Sequence, residues 1–326
     1  MKVYVKTTAR LHLGLIDMNR ELSRVFGGLG VSINYPNIVL EASRCENMKI
    51  IGERKKLVKK YVHRFLKKYE IKRNFCLNVR SVIPEHFGLG SGTQLALAVA
   101  KALAKIYNIN SSIQELSLAM GRAKRTGVGT AIFDQGGFVV DGGKKIDNEN
   151  WKISKLSPLI FRRDVPEDWR FLVVIPNITK GLVTKGLANT EESFAFQEVP
   201  IMPSEDVGII CRLILMKLLP SLIEDNIKNF GEAITKIQIM VGKNFSKVQG
   251  GTFSSTIVED GVNYLIESGA YGAGQSSWGP TFYGVTTDSK AQNLKNKMIK
   301  FLEKKTGGTV FIAKPNNKGA FIKVIN

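Results

Sequence analysis

Gly88-Leu89-Gly90-Ser91-Gly92-Thr93-Gln94 is the stretch whose residue types most directly imply chemistry. Glycines at this spacing let backbone N–H groups come close to an anion, and Ser91 and Thr93 add hydroxyl donors. The plain alternative is a tight turn capped by Ser91 or Thr93, with no ligand. No Lys-Ser/Thr pair follows the last glycine, so the loop is not a Walker loop, and its spacing is not that of a dinucleotide fingerprint. Further along, Arg122, Lys124 and Arg125 flank the flexible segment Gly127-Val128-Gly129, a composition suited to clamping an anion. Near the N-terminus, Arg10, His12 and Asp17 interrupt an apolar background ahead of a glycine-rich turn, Gly27 to Gly30. One polar residue in a strand is usually a satisfied surface or core group; three before such a turn point toward a site. Asp134, between Phe133 and Gln135-Gly136-Gly137, is either a site carboxylate or a turn former.

These residues need elements to hold them. An apolar strand from Phe75 to Ile83 is stopped by Pro84, and Leu95 to Tyr107 reads as a buried helix. The glycine loop therefore sits at a helix N-terminus, where free N–H groups and the dipole favour negative charge. Lys2 to Thr8, Val31 to Ile33, Ile38 to Ala42 and Phe138 to Val140 read as strands. Ser112 to Arg122 reads as a helix capped by Ser111 or Ser112 and ended at Gly121. The pattern weakens from Asn148 to Trp169, which places a domain boundary at 165, giving domains 1–165 and 166–326. The second domain holds a strand at Phe171 to Ile175, a polar loop with Lys180 and Lys185, and helices near Asp206 to Leu219, Ile227 to Gly242 and Val258 to Ser268. A loop from Gly269 to Pro280, carrying Gln275-Ser276-Ser277-Trp278, leads into a strand at Thr281 to Thr286. A helix and a hairpin of Thr309 to Ala313 with Ala320 to Ile325 close the chain. Strands and helices alternate without a regular βαβ period, so the fold class is α+β.

A length of 326 residues with 44% hydrophobic content supports a sizeable core. Met1 to Lys6 lacks the apolar run of a signal peptide, and Ile209 to Ile223 is too short and too charged to span a bilayer. The expectation is a cytoplasmic protein with no membrane partner. Cys45, Cys76 and Cys211 form no C-x-x-C pair, which argues against zinc and more strongly against a disulfide framework. The formal net charge of +19 favours anionic partners. Much of it lies in Arg54 to Arg73, where Leu57, Tyr61, Phe65 and Tyr69 recur at helical spacing. An amphipathic helix with a solvated basic face explains this better than a nucleic-acid patch, because no nucleic-acid motif accompanies it.

Pro84 with Gly88-Leu89-Gly90-Ser91-Gly92 resembles the P-x-x-x-G-L-G-S-S signature of the GHMP superfamily of small-molecule kinases. That resemblance implies a ribosomal protein S5 domain 2-like N-terminal domain and a ferredoxin-like C-terminal domain. The chain departs from the kinases at Gly92-Thr93-Gln94 and at Trp278, which stands where kinases keep small residues. These departures, with ARLHLGLID, FDQGGFVVDGG and GAGQSSWGP, resemble the β-ribofuranosylaminobenzene 5′-phosphate synthases, a branch of that superfamily. The resemblance implies condensation of phosphoribosyl pyrophosphate with 4-aminobenzoate or 4-hydroxybenzoate, releasing carbon dioxide and pyrophosphate, with Mg²⁺. It implies phosphate binding by Gly88 to Gln94 with Arg122, Lys124 and Arg125. Substrate contacts would come from Arg10, Gln275, Ser276, Ser277 and Trp278, with the indole as a flat apolar wall. Asp134, Asp17 and His12 are the expected catalytic residues, with Asp17 and Asp134 as metal ligands. A homodimer is the expected assembly. An ATP-dependent kinase acting on an alcohol is the competing reading, and a basic nucleic-acid-binding protein the third.

Overall fold

The computed structural model describes residues 1–71, 74–146, 156–177 and 189–325, without the side chains of 189–193. Lys180 and Lys185, and the Lys72 and Arg73 end of the basic segment, lie outside the described residues. Three sheets carry the chain. The first is five-stranded, in the order β14-β1-β4-β6-β5. It is built from β1 (Lys2–Lys6), β4 (Val39–Arg44), β5 (Lys49–Gly52), β6 (Phe75–Ser81) and β14 (Phe321–Ile325). The second runs β2-β3-β7-β9, with β2 (Ala9–Asp17), β3 (Arg24–Ile33), β7 (Phe138–Asp141) and β9 (Leu159–Arg163); β8 (Lys144–Lys145) pairs with β3. The third runs β11-β12-β10-β13, with β10 (Trp169–Pro176), β11 (Gly272–Gln275), β12 (Phe282–Thr287) and β13 (Gly308–Ala313). Mixed layers of this kind make the fold α+β.

Burial explains the first layer. α1 (Lys55–Tyr69) buries Val58, Tyr61, Val62, Phe65 and Leu66 and leaves its lysines to solvent, the amphipathic helix its spacing implies. α2 (Ser91–Ile106) buries an almost continuous run from Gln94 to Ile106, which suits a helix packed against both β1 and β4. α3 (Ile113–Ala119) opens with a reciprocal capping box between Ser112 and Glu115. α4 (Val128–Gln135) packs on β3.

Three expectations change here. Gly27 to Gly30 is not a turn but the middle of β3. A Cβ at Gly30 would stand 2.3 Å from Val128 Cγ1, so this glycine serves the close approach of α4 to the strand. The closing strands do not form a hairpin: β13 pairs with β10, and β14 pairs with β1, Val3 opposite Val324. The turn between them docks on the second sheet instead, with Gly137 N–H donating to Asn316 O at 2.7 Å and Ala320 N–H to Phe133 O at 2.8 Å. The residues past Ala313 thus finish the sheet begun at Lys2, while the boundary drawn at 165/166 falls between β9 and β10. Cys45 and Cys76, against expectation, pair as a disulfide with Cα atoms 5.8 Å apart, because β4 and β6 are neighbours in register Ser43 to Cys76.

The C-terminal half completes the walls of the site. α5 (Asn189–Glu198) and α6 (Ser204–Leu213) lead through a π-helical segment, Ile214–Leu218, into α7 (Leu219–Ile223). α8 (Ile227–Gln249) then runs along β11 and reaches β2, and α9 (Thr256–Glu267) and α10 (Asp288–Glu303) cover the third sheet. Among the described residues no helix is long and apolar enough to cross a membrane.

Candidate active site

Three segments remote in sequence are laced together at one point. Ser276 Oγ donates to Gly88 O at 2.7 Å and accepts the His12 N–H at 3.0 Å. Arg10 donates from its guanidinium to Gly88 O at 2.9 Å and from its backbone to Leu89 O at 3.2 Å. Ser277 N–H donates to His12 O at 3.3 Å. Gly88 has φ +73°, and a Cβ there would lie 2.1 Å from Ser276 O, so only glycine lets the loop reach this clamp. Ser276 is fully buried, which makes its hydroxyl a tie between segments rather than a ligand contact.

Two cavities open on either side of this junction. The loop cavity lies over Gly88 to Thr93 and is walled by Leu57, Tyr61, His86 and Arg122. α2 begins at Ser91 with Gly90 as its N-cap and no side-chain cap. Among the described residues the first-turn N–H groups of Ser91 and Gly92 have no partner, the state in which a helix start accepts an anion. Arg122 approaches the same turn, its Nε donating to Thr93 Oγ1 at 3.3 Å. Tyr61 donates its hydroxyl to Gly92 O at 3.1 Å. Burial pushes that phenol up, against the opposing pull of Arg122 and Arg64. Glu85 is the one carboxylate among the described lining residues of either cavity, and Arg54 already pairs with it at 2.5 Å.

The aromatic cavity is caged by Phe196, Phe245 and Trp278. Their rings meet edge to face, 5.7 Å from Phe196 to Phe245, 5.3 Å from Phe196 to Trp278 and 5.2 Å from Phe245 to Trp278. The Arg125 guanidinium lies 4.2 Å over the Phe196 ring, a cation–π contact at the cavity wall. Arg10, Ser277 and Trp278 line both cavities, so the two spaces share one partition. His12 lines the aromatic cavity; burial first, and Arg10 second, hold its imidazole well below the usual histidine range. It is therefore neutral at neutral pH. Gln238 of α8 and Gln275 of β11 form part of the floor, Gln275 N–H donating to Gln238 Oε1 at 2.9 Å. Such a slot takes a flat apolar ring, with cations at its wall and neutral polar groups on its floor.

The expected residues divide. Arg10, Gly88 to Thr93 and Arg122 meet at the loop cavity; His12, Arg125 and Gln275 line the aromatic one; Ser277 and Trp278 join the two. Lys124 is exposed and lines neither. Gln94 is buried and ties α2 to α4, its Nε2 donating to Gly129 O at 3.0 Å. Asp17 lines neither cavity and holds a turn, accepting the Asn19 N–H at 2.6 Å. Asp134 ends α4 and accepts from Gln114 Nε2 at 3.3 Å, again away from both linings. No group of three His, Cys, Asp or Glu that could hold a metal exists among the described residues. Asp17 and Asp134, the expected metal ligands, both lie outside the two linings. Phe196, Phe245 and Gln238 escape sequence reasoning, because each sits in a helix where an apolar or amide side chain reads as ordinary packing. Asp141 also escapes it: burial pushes its carboxyl up to about 6, though the N–H groups of Gly127 at 2.8 Å and Gly143 at 3.0 Å pull it down. By holding Gly127 it sets the start of α4 and the Arg125-Thr126 wall beside it.

Comparisons with known proteins show the family and the fold. The GHMP kinases N terminal domain matches residues 56–142, and the GHMP kinases C terminal domain matches residues 218–304. The chain is 33% identical to the beta-ribofuranosylphenol 5'-phosphate synthase of Methanothermobacter thermautotrophicus, over 99% of each chain. It is 34% identical to the protein of the same name from Methanocaldococcus jannaschii, over 97% of this chain and 98% of the other. In fold it is similar to the mevalonate kinase of Methanococcus jannaschii, with a TM-score of 0.67 at 17% identity over 96% of this chain and 98% of the other.

Proposed function

The chain belongs to the beta-ribofuranosylphenol 5'-phosphate synthases, a family built on the GHMP kinase domains, and from that membership we propose the reaction it catalyses. It transfers the phosphoribosyl group of phosphoribosyl pyrophosphate to the ring carbon of a 4-substituted benzoate, with loss of carbon dioxide and pyrophosphate, in methanopterin-type cofactor biosynthesis. One observation supports this assignment above the others: an aromatic cage shares a partition with a glycine loop at a helix N-terminus.

In this reading the donor's phosphates lie over Ser91 and Gly92 N–H, with Arg122 beside them. The benzoate ring lies against Trp278 and Phe245. Arg10, present in both linings, faces the carboxylate end of the ring and the donor at once. Pyrophosphate leaves with the electron pair of its bond to the ribose carbon, and the ring carbon bearing the carboxylate supplies the new bond. Loss of carbon dioxide returns the pair of the broken C–C bond to the ring and restores aromaticity. The helix start and Arg122 favour the departing charge without reorganising, because they are set before the reaction. Burial of the ring behind Phe196, Phe245 and Trp278 excludes water from the positive ribose carbon. Magnesium, in this proposal, is a counter-ion carried on pyrophosphate oxygens, and no step here runs through it. A homodimer in the cytoplasm belongs to the same proposal. Neither lining supplies a free carboxylate base for an alcohol among the described residues, which favours the synthase over a kinase.

The test is incubation of the purified protein with phosphoribosyl pyrophosphate and each benzoate, following carbon dioxide and pyrophosphate. Release of both in equal amounts is expected. Turnover of ATP with an alcohol, and none with either benzoate, would overturn the proposal.

A further inference from the structure

We propose that Gln238 selects the 4-hydroxy over the 4-amino acid by donating a hydrogen bond to the ring oxygen, with His12 accepting that oxygen's proton. This rests on the synthase reading above.

Gln238 lies on α8, 7% exposed, between Gly14 of β2 and Gly274 of β11. A Cβ at Gly274 would stand 2.5 Å from Gln238 Cγ, so the absence of that carbon lets the side chain lie flat across the strand. Its amide orientation is determined by a neighbour: Oε1 accepts the buried Gln275 N–H at 2.9 Å. Flipping the amide would set NH₂ against N–H, two donors face to face. Nε2 is therefore held on the other side, and among the described residues it has no hydrogen-bond partner. His12, 8% exposed, lines the same cavity and likewise has no side-chain partner among the described residues. A buried aromatic cavity thus presents an unused amide donor and an uncharged imidazole.

The charge pattern orients the ring. Arg10 and Arg125 are the cationic side chains among the described lining residues of this cavity, and Arg10 also faces the loop cavity. The carboxylate end belongs beside Arg10, next to the ribose carbon it must attack, which leaves the para substituent for the neutral groups. A hydroxyl oxygen can accept from Gln238 Nε2 while giving its proton to imidazole. An aromatic amine cannot do the same, because its nitrogen pair is delocalised into the ring and accepts poorly. The amine would leave Nε2 unpaired in a buried site, the situation that discriminates most strongly. The proton balance closes within the cycle. The hydroxyl proton moves to His12, and its oxygen pair feeds the ring carbon that bonds to ribose. After carbon dioxide departs, the imidazolium returns the proton to the oxygen. Of the three lining glutamines, Gln249 and Gln275 already donate to Thr252 O and Ser277 O, which leaves Gln238 as the amide with an unused donor.

The experiment measures kcat/KM for both acids, and their equilibrium binding by calorimetry, in the wild type, Gln238→Glu and Gln238→Leu. Melting curves accompany each variant. The wild type is expected to favour the hydroxy acid by tenfold or more in both readouts. Gln238→Leu should reduce that ratio at least threefold, and Gln238→Glu, which places an acceptor where a donor stood, should invert it. A wild type that favours the amino acid, or folded variants that keep the wild-type ratio, would overturn the assignment while leaving the synthase reading intact. Failure of the wild type to turn over or bind either acid would overturn both.

Discussion

Phe245→Leu separates the two cavities more cleanly than any change at Trp278. Trp278 lines both spaces, so its truncation disturbs donor and acceptor together. Phe245 lines the aromatic cavity alone, is 6% exposed, and meets Phe196 at 5.7 Å and Trp278 at 5.2 Å. Leucine keeps the side chain apolar and near in size, a swap that costs about 1.5 kcal/mol or less in packing. Two edge-to-face ring pairs are lost as well, each worth roughly 0.5–1.5 kcal/mol. The folded protein should therefore lose on the order of 1–4 kcal/mol and show a lower melting temperature. A bound benzoate loses one ring contact of the same kind, so its KM should rise about two- to tenfold. The KM for phosphoribosyl pyrophosphate should stay within about twofold, since the phosphates are expected on the far side of the partition. Steady-state kinetics with each substrate varied in turn is the assay, run well below the variant's melting temperature. An equal rise in both constants, or a rise for the phosphoribosyl donor alone, would refute the placement of the ring in this cage.

Arg122→Ala should produce the reverse pattern: loss of a charge-assisted contact worth about 1.5–3 kcal/mol raises the donor KM roughly ten- to hundredfold and spares the benzoate. Asp134→Asn should leave turnover within about twofold, since Asp134 faces Gln114 and lines neither cavity; a large loss of kcat in a folded variant would return it to the site. Asp141 has a folded pKa of about 6 against an ordinary 3.8, so its contribution to stability is fully present below about 3.8 and is lost as pH rises through 6. The gap corresponds to on the order of 3 kcal/mol, and between pH 4 and 7 the unfolding free energy of the wild type should fall by most of that amount relative to Asp141→Asn; parallel pH profiles would contradict it.

The glycine loop was legible because its chemistry is local. A strand ends at Ser81 ahead of Pro84, Gly90 caps a helix, and the Ser91 and Gly92 N–H groups open that helix, so neighbours in sequence are neighbours in space. The basic helix and the capping box at Ser112 were legible for the same reason. The aromatic cage was not. Phe196, Phe245 and Trp278 come from α5, α8 and the loop after β11, and nothing in the period of any one element marks its ring as facing the other two. Gly27 to Gly30 looked like a turn because glycine runs usually are turns; the need for close contact with α4 appears only once the strand is packed. The carboxylates misled in the opposite way. Asp17 and Asp134 stand beside suggestive motifs, yet each is turned to a partner outside both cavities, while Asp141, buried at the end of β7, holds the Gly127 N–H at the start of α4. Residue type and spacing determine what a segment can form by itself. Which side chains converge depends on sheet register and helix packing, which sum weak contacts over the whole chain and leave no mark at any single position.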